Sequence, residues 1–161
     1  MSSEVSVTSL NETLDSLNTM AADEISQKYL LFISDGLDFG VKASYVNEII
    51  TSYHITNVPL VPHYIKGIIN LRGQVIPIID IRSKMGKMEI EETASTCIIV
   101  LDISSVMVGI FVDTVSHVTD IDESKISPPS PHNRLELVNG MVSMLDNKTL
   151  FLMDCEKLIE N

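Results

Sequence analysis

Tryptophan is absent from this sequence and aromatic residues fill only 5% of its 161 positions, so a core has to come from aliphatic side chains. Cysteine is scarce: Cys97 and Cys155 are the only two. Cys97 opens the apolar run CIIVL, and the N-terminus shows no basic segment followed by an apolar one. Two buried, reduced thiols in a cytoplasmic protein are therefore expected in place of a disulfide. No apolar run approaches the ~18 residues of a membrane-spanning helix, so direct membrane insertion is not expected. Basic residues are few, 11 against 22 acids, for a net charge of −11. That balance repels phosphate backbones and anionic lipid surfaces and argues against a nucleic-acid partner.

Catalytic signatures are missing too. The glycines at 36, 40, 67, 73, 86, 109 and 140 form no G-x-G-x-x-G, G-x-S-x-G or Walker loop. His54, His63, His117 and His132 stand singly, without the H-x-H, H-E-x-x-H or C-x-x-C spacing of a zinc site. Asp120, Asp122 and Ser124 begin like a calcium loop, but Lys125 and Pro131 stand where that loop needs Gly and Glu. Glu91-Glu92 and Asp122-Glu123 read as solvated loop charges. The expectation is a protein that is not an enzyme and takes no cofactor and no metal.

What is present is mostly β-structure. The segments 29–34 and 37–41 flank Asp35-Gly36, a type I′ hairpin signal. Similar pairs are 65–71 with 74–80 around Arg72-Gly73, 96–103 with 106–111 around Ser104-Ser105, and 141–145 with 148–153 around Asp146-Asn147. Pro77 lies inside an apolar run, which predicts an edge strand or a bulge there. Helical signals are short: 42–46, 81–85, and 154–159 with Asp154 as N-cap. Residues 87–95 read as a linker. Residues 1–24 carry five acids and no base and are rich in Ser, Thr and Asn, which predicts an acidic, disordered tail. Within it, Ser9 and Glu12 form a capping-box pattern, and Leu10, Leu14 and Leu17 share one helical face.

An internal repeat organises the body. Shifted by 69, YLLFISDGLDFGVKASYVNEI lies over IIVLDISSVMVGIFVDTVSHV, with Gly40 on Gly109 and Val46 on Val115. Further on, Gly67 meets Gly140 and Asp80 meets Asp154, at shifts of 73 and 74. Two copies of some 70 residues predict two small barrels, divided at about 25–88 and 95–161. The runs LLFI, IIVL, VIPII and LFLM do not alternate, so those strands are apolar on both faces. A small barrel hides only one face of each strand inside itself; the other meets the sister barrel or another protein.

The segment IKGIINLRGQVIPIIDIR (65–82), with FGVKASYVNEII before it and VGIFVDTVSHV after, resembles the CheW family of chemotaxis coupling proteins. Its most specific part is the NLRG turn (Asn70, Leu71, Arg72, Gly73) followed by Pro77, Asp80 and Arg82. The resemblance implies two SH3-like five-stranded barrels packed around a shared hydrophobic core, with short helices including one at the C-terminus. It also implies a non-enzymatic adaptor joining the cytoplasmic tips of methyl-accepting receptors to the regulatory domain of the chemotaxis histidine kinase. By the same resemblance, Leu30, Val46, Ile49 and Gly67 belong to a groove that takes a receptor's helical hairpin, although ordinary core placement fits Val46 and Ile49 equally well. Gly67 reads either as the close approach of a partner backbone or as a position needing positive φ. Glu48 and Arg72 are expected to pair and brace the NLRG turn, and Val58-Pro59 to face the kinase. The rival readings are a related adaptor of a surface-motility pathway and, from another class, a small-molecule-binding barrel, which would need convergent polar groups.

Overall fold

The structure, a computed structural model, describes residues 7–18, 26–130 and 136–160. Among the described residues, ten strands build two five-stranded sheets. β1 (Ser26–Ser34) and β2 (Leu37–Lys42) lead through a 3-10 turn at Ala43–Tyr45 into β3 (Val46–Ile50), β4 (Ile65–Leu71) and β5 (Gln74–Asp80). After the short helix α2 (Ile81–Lys84) come β6 (Cys97–Ile103), β7 (Val106–Val112), β8 (Thr114–Asp122), β9 (Val138–Ser143) and β10 (Thr149–Met153), then a C-terminal helical turn, α3 (Cys155–Leu158). The N-terminal helix α1 spans Val7–Asn18. The expected hairpins form, and in the three two-residue turns both central residues have positive φ, as a type I′ turn requires.

The sheets do not follow the two sequence halves. Sheet A has the order β8-β1-β2-β10-β9 and sheet B the order β3-β6-β7-β5-β4. Each takes two strands from one repeat and three from the other, so the division at 25–88 and 95–161 is corrected. Parallel pairs make the exchange: β10 on β2, with Leu152 opposite Gly40, and β5 on β7, with Ile78 opposite Gly109. A repeat in sequence shows that two strands are equivalent; it does not show which copy supplies a partner, because the hydrophobic pattern is the same either way.

The equivalence itself extends to local bonds. The bridge Thr56↔Ile68 recurs as Ser127↔Met141. Asp80 N–H donates to Tyr64 O at 2.8 Å, and Asp154 N–H donates to Leu137 O at 2.7 Å. Asp80 and Asp154 each cap the helix that ends their repeat.

Both faces of β1, β6 and β10 are largely buried within the molecule, whereas in β5 Val75 stays 60% exposed. In β1, Tyr29 and Leu31 join Ile121, Val142, Leu150 and Leu152 inside sheet A, while Leu30 and Phe32 turn to the large core shared with sheet B. Phe32 stacks on Phe39 at 5.5 Å between ring centroids. Ile98, Ile99, Val100 and Leu101 are all buried. The apolar excess that pointed to a partner is thus consumed largely by the sister barrel.

Three local expectations are also corrected. β5 lies between β7 and β4, so Pro77 is not on an edge; the bulge alternative is met in the partner strand, where the β4–β5 register shifts between Ile65 and Gly67 opposite Ile79 and Ile78, and pairing with β7 begins only at Ile78. Ser9 lies inside α1, which begins at Val7, so Ser9 and Glu12 do not open the helix as a capping box. Finally, residues 7–18 of the expected disordered tail are a helix that packs on β3 and the 3-10 turn. Residues 1–6 and 19–25, the Leu17 side chain, Pro131 and His132 lie outside the described residues.

Candidate functional site

An edge strand carries unpaired backbone groups on its outer side, and β3 is an edge of sheet B. Here those of Ile49 are met by α1. Ile49 N–H donates to Asn11 Oδ1 at 3.0 Å, and Asn11 Nδ2 donates to Ile49 O at 3.3 Å, so one side-chain amide replaces a neighbouring strand. Leu10 and Leu14, one helical turn apart, are buried in the shared core beside this contact. Leu30, Val46 and Ile49 belong to the same core, with 0%, 2% and 3% of their surface exposed. All three are therefore interior residues of the core the two sheets share, and β3, which carries Val46 and Ile49, is the strand that α1 packs on.

Glu48 and Arg72 lie on the far ends of one sheet. Glu48 sits just past a bulge in β3, and Arg72 in the β4–β5 turn; the ion pair between them, 2.8 Å, joins the two edge strands of sheet B. Arg72 is held at positive φ, and Asn70 Oδ1 accepts the Gly73 N–H at 3.0 Å, which pins the turn. Leu71 is half-buried against the shared core. Gly67 answers its own question: a Cβ there would stand 2.3 Å from Thr56 O. The backbone that approaches it is the chain's own, and its φ of +156° adds strain for any side chain. Val58 and Pro59 lie in a loop beside Leu60, which is fully exposed at 104% and has positive φ.

A charge cluster at the sheet junction was not anticipated. Arg82 pairs with Asp113 and stands 3.9 Å from Asp35, and Lys87 Nζ donates to Asp35 Oδ2 at 2.7 Å. Asp35 N–H donates to Asp113 Oδ2 at 3.1 Å, so the β1–β2 turn of sheet A is tied to the segment after β5 and to the end of β7. The Lys87 hydrogen bond and charge hold the Asp35 carboxyl below its usual range, and Asp113 raises the Arg82 guanidinium further. Asp80 is buried and accepts three N–H groups, from Arg82 (3.0 Å), Ser83 (3.1 Å) and Ile90 (2.8 Å). The one available sequence signal was the spacing of Asp80 and Arg82 after Pro77; Asp35, Lys87 and Asp113 gave none.

Beside this cluster opens a cleft of about 420 Å³ lined by Arg82, Ile90, Thr93, Thr96, Asp113 and neighbouring acids. It holds no nucleophile paired with a base. Among the described residues, no three His, Cys, Asp or Glu side chains converge as a metal site would need. Burial pushes the thiols of Cys97 and Cys155 up to about 12, so neither is a ready nucleophile at neutral pH. None of the described helices is long and apolar enough to cross a membrane.

Fold and site together define a duplicated, strand-exchanged pair of SH3-like barrels whose notable feature is a sheet edge that accepts a helix. A family model, the CheW-like domain, matches residues 28–161, and the chain belongs to that family. It is 31% identical to a chemotaxis protein CheW of Klebsiella aerogenes over 151 residues, covering 92% of this chain and 90% of that one. To the CheW of Bacillus subtilis it is 29% identical over 136 residues, 83% of this chain and 87% of the relative. Among solved structures, the scaffolding protein TtCheW from Thermoanaerobacter tengcongensis superposes with a TM-score of 0.73 at 32% identity, covering 79% of this chain and 88% of that one.

Proposed function

We propose that this protein is a chemotaxis signal-transduction adaptor, a non-enzymatic scaffold that couples methyl-accepting receptors to the chemotaxis histidine kinase. It acts in the cytoplasm and reaches membrane receptor arrays through its partners. Beside family membership, one observation carries this reading: the edge of β3 already takes an amphipathic helix, with apolar side chains below and an amide bonding the strand backbone. A receptor's helical hairpin presents the same chemistry. In this reading Leu30, Val46 and Ile49 form the apolar floor of the receptor groove. Gly67 lets the segment before β4 fold tightly behind it, and the Glu48–Arg72 pair braces the NLRG turn beside it. The exposed loop at Val58, Pro59 and Leu60 serves the kinase's regulatory domain. Signal passes only if the adaptor binds the receptor's conformational states unequally, since equal affinity for both shifts nothing.

Reconstitution tests the proposal. With receptor cytoplasmic fragments and the kinase present, adding this protein is expected to raise autophosphorylation, and an unchanged rate at saturating adaptor sinks the reading. At the turn, a double-mutant cycle on Glu48→Ala and Arg72→Ala should give a coupling of about 0.2–1 kcal/mol, the range for a pair with one exposed partner. Strictly additive losses would show that the two charges do not brace each other.

A further inference from the structure

The receptor groove proposed above is not open in this structure, because α1 lies on it. Leu10 and Leu14 share one buried core with Val46 and Ile49, α1 packs on the strand that carries those two, and the outward backbone groups of Ile49 are taken by Asn11. A helix arriving from a partner would need the same strand edge and the same apolar floor. The two occupants exclude each other.

Two observations indicate that α1 is built to leave. First, the helix is weak. It has 12 residues, six of them Ser, Thr or Asn, with no acid in its first turn and no base in its last. A helix of that length and composition is marginal in water without its packing face. Second, the fold does not require it. β8 occupies in sheet A the place that β3 has in sheet B, and carries Val115 and Val118 where β3 carries Val46 and Ile49. Those two valines are only half-buried, and among the described residues no helix packs on β8 as α1 packs on β3. Among the described residues one sheet edge thus carries no helix, and its duplicate is capped by a short one.

We infer that α1 is an intramolecular pseudo-ligand: it covers the β3 edge in the free protein and is displaced when a partner's amphipathic helix docks there. The inference rests on the receptor reading of the groove and adds its regulation. The partner it fits presents two apolar side chains at i, i+4 with a side-chain amide or hydroxyl beside them, repeating Leu10, Asn11 and Leu14. The apparent affinity for that partner is the intrinsic affinity multiplied by the fraction of molecules in which α1 has left.

The test compares the full chain with its Leu10→Asp/Leu14→Asp variant, titrated with a helical-hairpin fragment of a methyl-accepting receptor tip, while amide exchange is followed at Ile49 and in β6 and β7. In the variant, Ile49 N–H should exchange freely while β6 and β7 stay protected, and the fragment should bind about tenfold tighter if α1 is docked in roughly nine molecules of ten. Should the double variant lose β6 and β7 protection, Asn11→Ala takes its place. It removes only the amide contacts and should tighten binding by about threefold. Equal affinity with Ile49 exposed overturns the displacement while leaving the receptor reading intact, and weaker binding overturns it by making α1 part of the docking surface. Failure of both forms to bind the fragment, while both still bind the kinase's regulatory domain, overturns the displacement and the receptor reading together.

Discussion

Gly67 and Gly140 occupy equivalent positions, yet their surroundings differ in a way that a single methyl group would reveal. At Gly67 the added carbon meets a backbone carbonyl at 2.3 Å in a strained conformation, whereas at Gly140 it meets the branch methyl Cγ2 of the half-buried Ile126 at 2.8 Å, a side chain that can shift as a unit where a strand-bonded carbonyl cannot. Gly67→Ala should therefore cost about 3 kcal/mol or more in urea unfolding, and Gly140→Ala about 1 kcal/mol. Equal losses would mean that Thr56 yields as easily as a side chain. The two thiols give a second residue-scale expectation. Their folded values near 12 lie above the ordinary 9.0, so folding favours the protonated form. The resulting stability is fully present below pH 9 and is lost as pH rises toward 12, at about 1.4 kcal/mol per thiol per pH unit. Between pH 9 and 10, before the buried tyrosines contribute, the urea midpoint of the natural protein should fall, and that of Cys97→Ala/Cys155→Ala should stay nearly level.

At the scale of the element, what ends each repeat is a short helix capped by an aspartate, and the two caps are unequal. Asp80 holds three N–H groups and is buried, while Asp154 accepts one from Lys157 at 3.4 Å. Asp80→Ala strands three donors, one of them in the 88–96 connection, and should cost about 3 kcal/mol. Asp154→Ala removes a single long bond and should cost about 0.5 kcal/mol. Thermal unfolding of the two variants measures the contrast, and similar midpoints would overturn it. The hairpins were legible because type I′ turns advertise themselves: Asp35-Gly36 and Arg72-Gly73 place glycine where φ must be positive. β3 and β8 carry no such signal, because neither adjoins a type I′ turn and β3 follows a stretch with a helical pattern. The docking of α1 had a signal in the Leu10 and Leu14 spacing, but helix propensity alone could not say that β3 was waiting for it.

For the whole molecule, strand exchange means that neither repeat owns a complete sheet. Every parallel contact, β10 on β2 and β5 on β7, crosses from one repeat to the other. A chain cut in the exposed 91–92 connection should give two halves that are each unfolded alone, and that regain β-structure by circular dichroism when mixed. A half that folds by itself would show that the contiguous division was adequate after all. The same crossing explains the ion-pair cluster at the junction. Asp35 belongs to the first repeat's opening hairpin, Asp113 follows the second repeat's, and Arg82 and Lys87 follow β5, so only assembly brings the four together.

The candidate site divides along the same line. Glu48 and Arg72, both marked by the sequence pattern, stand 2.8 Å apart, while Leu30, Val46 and Ile49 are buried in the core the two sheets share and α1 packs on β3. Composition, turn chemistry and the doubled pattern by themselves determined a β-rich chain of two equivalent units with an aliphatic core, since each is a local property of neighbouring residues. Which copy lends which strand, which apolar face is spent inside, and whether the β3 edge is open were decided only by the tertiary structure. Those choices turn on contacts between residues far apart in the chain, and equivalent strands look alike until they are paired.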